Sequence, residues 1–259
     1  MAAKSNTLLK IENVNVQFGG IVALDSVSFD VEEGQIVGLI GPNGAGKTTL
    51  FNCLTRIYQI NGGDIFFQGK SILKLAPYQI APLGIGRTFQ NLALFDKSTV
   101  LENVKVGAHS CTRSDFVSNA LRLPWMSREE KLIQETALEL ISYLGLEEHT
   151  HRPVAGLPIG TLKRVELARA LASGPRLLLL DEPASGLNHE EVGKLVDLIR
   201  EIREKRKVTV LLVEHHMNLV MQVSEKVVAL DFGKKIADGS SAKVQKDKKV
   251  IRAYLGEGG

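Results

Sequence analysis

The residues with the clearest chemistry in this chain are Gly41-Pro42-Asn43-Gly44-Ala45-Gly46-Lys47-Thr48-Thr49. Their G-x-x-x-x-G-K-[ST] spacing is that of a phosphate-binding loop. Glycines let a backbone curl until several N–H groups point at one anion, where a side chain would block the approach. The phosphate then sits against the positive end of a helix. In such a loop the Lys47 ammonium reaches the β and γ phosphates of a nucleoside triphosphate, and the Thr48 hydroxyl is placed to ligate the Mg²⁺ that bridges them. A plain Gly-rich turn would need no such neighbours as these: residues 36–40 read as a buried strand, and residues 48–54 as the first turns of a helix.

A phosphate loop also needs a carboxylate from elsewhere in the chain to hold the metal. Leu177-Leu178-Leu179-Leu180 reads as a strand covered on both faces, and Asp181-Glu182-Pro183 follows directly. Asp181 fits the metal-binding role, and Glu182 fits a base that orients and deprotonates an attacking water. An acidic pair after an apolar run is common by itself. Together with the upstream loop it is specific.

The elements around these residues follow from periodicity. Residues 8–18 and 21–31 alternate apolar and polar, with Gly19-Gly20 between them, and read as antiparallel strands. Residues 64–69 read as a further strand of that small sheet, and residues 85–90 as a core strand that ends at Gln90. From residue 91 to about 157 helical spacing takes over. Ser127-Arg128-Glu129-Glu130 has the form of a capping box, with Leu132, Ile133, Ala137, Leu140, Ile141 and Leu144 on one helical face behind it. Residues 110–126, with Pro124 and the single Trp, read as a surface excursion. Residues 161–172 read as a helix, and so do the residues after Asn188, a good N-cap with Glu190 and Glu191 in the first turn. Residues 208–213 form a second strand of the parallel type, ending at Glu214-His215-His216. A hairpin at 227–237 and a helix at 250–255 close the chain. Strands alternating with helices around a phosphate loop make this an α/β protein with a largely parallel sheet.

Composition narrows the class. The chain has 259 residues and a net charge of +3, too mild for the concentrated basic face of a nucleic-acid binder. Cys53 and Cys111 have neither C-x-x-C spacing nor a secretory signal beside them, and read as reduced thiols. No run approaches the length of a membrane span, so any work at a membrane is done from outside the bilayer. The basic runs at 200–207 and 243–249 read as solvated helix ends.

On these motifs the chain resembles an ABC transporter ATP-binding subunit over essentially its whole length. The resemblance implies a P-loop NTPase fold of the ABC type, with an N-terminal antiparallel β subdomain and an inserted helical subdomain. It implies one domain over 1–259, with 1–90 and 166–259 forming the ATP-binding core and 91–165 the helical subdomain that grips a membrane partner. It makes Phe18 the aromatic that stacks on adenine, Gln90 a glutamine that touches Mg²⁺ and senses the transmembrane subunits, and His215 the switch histidine on the γ-phosphate. ATP and Mg²⁺ are the implied cofactors. The implied partners are a second ABC ATPase subunit (a copy or a paralogue), permease subunits and, indirectly, a substrate-binding protein. The place of work is the cytoplasmic face of the plasma membrane, peripherally. Arg87-Thr88-Phe89-Gln90, residues 181–188 ending in Asn, and residues 250–256 narrow the likeness to the LivG-type subunit of branched-chain amino acid importers. A urea or short-amide importer would leave similar marks. A soluble ABC ATPase of DNA or ribosomes, which tends to carry two cassettes or a long coiled coil, fits less well. So does an ATP-binding partner without catalysis.

One motif departs from the family. Where ABC proteins usually read Leu-Ser-Gly-Gly-Gln, this chain reads Leu157-Pro158-Ile159-Gly160-Thr161. The family's serine and amides reach the γ-phosphate of the opposite subunit, so Gly160 and Thr161 remain nucleotide-binding candidates. Losing a hydroxyl bond to a charged group costs about 1.5–3 kcal/mol. The ATP site completed by this turn is therefore expected to be the weaker of the pair.

Overall fold

The computed structural model describes residues 6–90, 92–109 and 124–255, with side chains placed from 128 onward in the last segment and up to 254. The chain divides into two compact units, Met1–Ile80 with Leu179–Gly259, and Ala81–Leu178. In chain order the first unit opens with β1 (Thr7–Phe18), β2 (Ile21–Glu32), β3 (Ile36–Ile40), α1 (Lys47–Leu54), β4 (Gly62–Phe67) and β5 (Lys70–Ser71). Helix α2 (Ile80–Leu83) leads into the second unit, with β6 (Ile85–Arg87), α3 (Val100–His109), α4 (Pro124–Tyr143) and α5 (Ile159–Ala172). Strand β7 (Leu177–Asp181) returns to the first unit, followed by α6 (His189–Arg206), β8 (Thr209–Val213) and α7 (Met217–Val223). The chain then runs through β9 (Lys226–Asp231), β10 (Lys234–Gly239), α8 (Ser241–Gln245) and α9 (Lys248–Leu255).

Two sheets organise the first unit. One has the order β2-β1-β4-β5 and is antiparallel, with Phe18 opposite Ile21 across the Gly19-Gly20 turn. Its alternation is real: Val14, Val16, Val27, Phe29 and Val31 are buried, while Phe18, at the turn, is 44% exposed. In the other sheet β3 lies between β9 and β8 and runs parallel to both, with β7 beyond β8. Every residue of β3, β7 and β8 is buried. Strands covered on both faces need unbroken apolar runs, which is why these three show no alternation. Helix α6 starts at a reciprocal capping box. The Glu191 N–H donates to Asn188 Oδ1 at 3.0 Å, and the Asn188 N–H donates to Glu191 Oε2 at 2.9 Å. Such a cap is worth about 1 kcal/mol.

Among the described residues the second unit is mainly helical, with β6 and the first two residues of β7 as strand. Helices α3 and α5 approach so closely at Gly107 that a Cβ there would lie 1.9 Å from the Arg169 carbonyl oxygen. Four expectations change in this unit. Helix α4 begins at Pro124, so Ser127 lies inside it rather than capping it. Proline suits a first helical turn, where its missing N–H has no partner to lose. Of the expected excursion, residues 110–123, Cys111 among them, lie outside the described residues, and 124–126 belong to α4. The apolar stripe buries Ile133, Ala137, Leu140, Ile141 and Leu144, but Leu132 is 62% exposed. Strand β6 stops at Arg87 instead of reaching Gln90, and the next backbone donor but one, the Phe89 N–H, is taken by the buried Glu166 carboxylate at 2.7 Å.

Candidate functional site

The first unit gathers the chemistry at the ends of neighbouring strands. The phosphate loop leaves β3 at Gly41 and enters α1 at Lys47, with Gly46 as the N-cap. Gly46 has φ 100, a left-handed value that a side chain resists. A Cβ there would also lie 2.7 Å from the Ala23 carbonyl oxygen and 2.8 Å from Leu24 Cδ2. The β2 backbone thus presses directly on the loop, and only glycine lets the turn close. Asn43, Gly44 and Thr48 are exposed, Pro42, Gly46 and Thr49 are half-buried, and Gly41 and Ala45 are buried.

Lys47 is 5% exposed. Its ammonium donates to the carbonyls of Gly41 at 2.7 Å and Pro42 at 2.9 Å, which folds the side chain back along the loop. Burial pushes its pKa below the ordinary lysine value, and the Glu182 and Asp181 carboxylates, close enough to act on it, pull the other way. A cation, two carboxylates and the amides of a helix start therefore share one small region.

Asp181 ends β7 and is 2% exposed. Glu182 follows with φ 48, unusual for a residue with a side chain, while its N–H donates to the Val213 carbonyl at the end of β8 at 2.9 Å. Its carboxylate faces His215, whose Nε2 lies 2.7 Å from Oε1. Backbone strain of this kind costs about 1–3 kcal/mol and gathers at reactive sites. The result is a carboxylate held beside an imidazole, next to a lysine-bearing phosphate loop.

Phe18 meets Tyr58 edge to face, with ring centroids 5.1 Å apart and planes at 71°. Phe18 lies near the loop in sequence terms too, because β2 starts three residues after it and carries the Ala23–Leu24 contact to Gly46. The sequence reading named Phe18 but missed Tyr58, which sits just past the end of α1 in a short stretch, residues 55–61, that mixes apolar and polar residues without a period. It also missed Tyr254 of α9, whose hydroxyl oxygen accepts the Gly41 N–H at 2.8 Å. No local pattern announces a contact between residues 213 apart in the chain.

Gln90, Gly160 and Thr161 belong to the second unit. Gln90 is exposed and follows Phe89, whose amide Glu166 holds. Pro158 is the N-cap of α5, Thr161 is buried at 5% exposure, and its N–H donates to the Pro158 carbonyl at 2.9 Å. Gly160 is half-buried. Among the described residues no helix is long and apolar enough to cross a membrane.

Known proteins share this architecture. Residues 24–185 match the ABC transporter family, and residues 234–259 match a second family, described as branched-chain amino acid ATP-binding cassette transporter. The high-affinity branched-chain amino acid transport ATP-binding protein BraF of Pseudomonas aeruginosa is 42% identical over 253 residues, 98% of this chain and 99% of that one. The corresponding protein LivG of Escherichia coli is 40% identical over the same shares. A solved ATP-binding cassette of an ABC transporter in its ADP conformation superposes with a TM-score of 0.84 at 31% identity, covering 97% of this chain and 99% of that one. A dimeric cassette bound to ADP and phosphate gives a TM-score of 0.76 at 25% identity, covering 90% and 98%.

Proposed function

This chain belongs to the ABC transporter family of ATP-binding cassettes, and from that membership we propose that it is the ATP-hydrolysing subunit of an importer of branched-chain amino acids. The observation that carries the catalytic part is the 2.7 Å contact between Glu182 and His215 beside the loop that bears Lys47. A base must lie within reach of its proton, and a γ-phosphate needs fixed positive or donor groups around it. Glu182 takes the proton of the attacking water, His215 fixes the carboxylate and reaches the phosphate, and Lys47 with the loop amides neutralises the charge that builds on the phosphates.

The donor set suits a magnesium ion. Mg²⁺ favours oxygen ligands and keeps several waters, so one buried carboxylate and one hydroxyl at a helix start are enough from the protein. Asp181 and Thr48 would hold it, and the ion would neutralise charge on the phosphates; Gln90 is a further ligand that the family resemblance implies. Phe18 stacks on the adenine, with Tyr58 bracing its edge.

The cassette works as one of a pair and docks on permease subunits at the inner face of the membrane, fed by a substrate-binding protein outside. Residues 91–165 form the helical subdomain that makes the permease contact, and 1–90 with 166–259 the ATP-binding core. In the pair, the Gly160–Thr161 turn of this chain faces its partner's nucleotide. Burial of Thr161 and the donation of its N–H to Pro158 support a weaker site there, and so favour a paralogous partner with one strong and one weak site. The substrate class rests on the resemblance of residues 234–259 and on relatives of the same length. The experiment is uptake of radiolabelled leucine, isoleucine, valine and urea by cells of the source organism with and without the gene for this chain. Loss of uptake of all three amino acids with urea unaffected is the expected result. Loss of urea uptake alone would overturn the substrate assignment.

A further inference from the structure

Glu214 has no part in the chemistry described above, yet it is 1% exposed, and a carboxylate is seldom buried without several donors. Three backbone amides supply them. Oε1 accepts the Ala184 N–H at 2.6 Å, and Oε2 accepts the N–H groups of His215 at 2.9 Å and His216 at 3.1 Å. Ala184 lies two residues after Glu182, and His215 follows Glu214 directly.

These bonds close a ring. From the Glu182 backbone the chain runs to the Ala184 amide, across to the Glu214 carboxylate, along the backbone to His215, and through its imidazole Nε2 back to Glu182 Oε1 at 2.7 Å. The ring contains Glu182, the one non-glycine residue of the site with a left-handed backbone, at φ 48. Strain of that sort persists only where surrounding contacts over-determine it.

We propose that Glu214 is a positioning residue for ATP hydrolysis, a buried acceptor that clamps the loop after β7 to the loop after β8 and so fixes the base Glu182 against His215. The proposal rests on the assignment of Glu182 and His215 to hydrolysis. It explains why a carboxylate rather than an amide occupies the position. Three donors from two directions require acceptors on both oxygens, and a glutamine offers an acceptor on one side only, with a donor facing donors on the other.

The test is Glu214→Gln, nearly the same size, in the full chain. With turnover normalised to sites occupied by a fluorescent ATP analogue, kcat falls about 10- to 100-fold, as one hydrogen bond to a charged group is lost. KM for ATP stays within about threefold, because the phosphate loop is untouched. In a His215→Ala background the same substitution costs less than about threefold, because residues that act as one unit are not additive. Amide exchange rises together at Ala184, His215 and His216 and is unchanged in β3. If the Gln variant folds poorly, Glu214→Asp, which keeps the charge but cannot reach both loops, shows the same selective exchange. Unchanged kcat per occupied site, full additivity with His215→Ala, or unchanged exchange at Ala184 would overturn the clamp. A wild-type chain that binds Mg-ATP without turning it over would instead count against the functional reading, and the exchange measurement would still decide the clamp.

Discussion

Gly46→Ala is the most informative small change at the phosphate loop. Two costs fall on it. A residue with a Cβ at φ 100 leaves its allowed backbone regions, at about 1–2 kcal/mol. The added methyl would lie 2.7 Å from the Ala23 carbonyl oxygen, against an ordinary contact of about 3.4 Å or more. Leu24 Cδ2, at 2.8 Å, is the tip of a side chain and can rotate. The Ala23 carbonyl cannot yield so easily, because it is backbone of β2, which the Asp25 N–H ties to the Gly233 carbonyl at 2.9 Å just beyond it. Overpacking of this kind costs about 1–3 kcal/mol, so the total is about 2–5 kcal/mol. The loop escapes by opening, which shifts the cost from folding onto nucleotide binding. Mg-ATP affinity, measured by titration calorimetry, therefore falls at least about 30-fold, while the melting temperature drops by only a few degrees. Gly38→Ala is the control. Its Cβ would lie 2.5 Å from Val220 Cγ1 in the sheet-to-α7 packing, away from the loop, and it lowers stability while leaving affinity within about threefold. Affinity within threefold of wild type for Gly46→Ala would refute the claim that β2 sets the loop's shape.

Two further outcomes follow from the same geometry. Burial pushes the Cys53 thiol up to about 12 from its ordinary 9.0, with Arg56 opposing. The folded thiol keeps its proton while the unfolded one ionises, so stability is intact below about pH 9 and falls above it, by up to about 1.4 kcal/mol per pH unit. The urea midpoint should therefore decline more steeply between about pH 9 and 11 in wild type than in Cys53→Ala, and equal slopes would contradict this reading. Phe18→Ala removes a stacking platform worth about 1–3 kcal/mol per base, so ATP binds about 5- to 150-fold more weakly, while tripolyphosphate, which has no base, binds as before. Equal losses for both ligands would show that Phe18 shapes the loop rather than holding adenine.

What the sequence made legible was whatever is encoded locally. The phosphate loop is one contiguous pattern, and Asp181-Glu182 follows an apolar run that only a doubly covered strand explains. The Asn188 cap needs residues just three apart. What it hid depends on distance or on competition between partners. Strand β6 ends early because a side chain 77 residues away, Glu166, takes the Phe89 amide. Ser127 fits a capping box in spacing, yet Pro124 starts the helix first. Leu132 belongs to an apolar stripe in projection but sits at its solvent edge. Helix α7, seven residues long, is too short to show a period. The left-handed backbone of Glu182, the Tyr254 contact to Gly41 and the acceptor role of Glu214 all arise where distant segments meet. An acid ahead of His215 was visible, but nothing local pointed to the three amides it would serve.

The most direct measurement is Mg-ATP turnover by the purified chain, wild type beside Glu182→Gln, with dimerisation followed on the same samples by light scattering. The predicted result is turnover in wild type, a loss of at least about 100-fold in the variant with ATP binding retained, and an ATP-trapped dimer in the variant alone. Turnover in Glu182→Gln equal to that of wild type would contradict the assignment of Glu182 as the base.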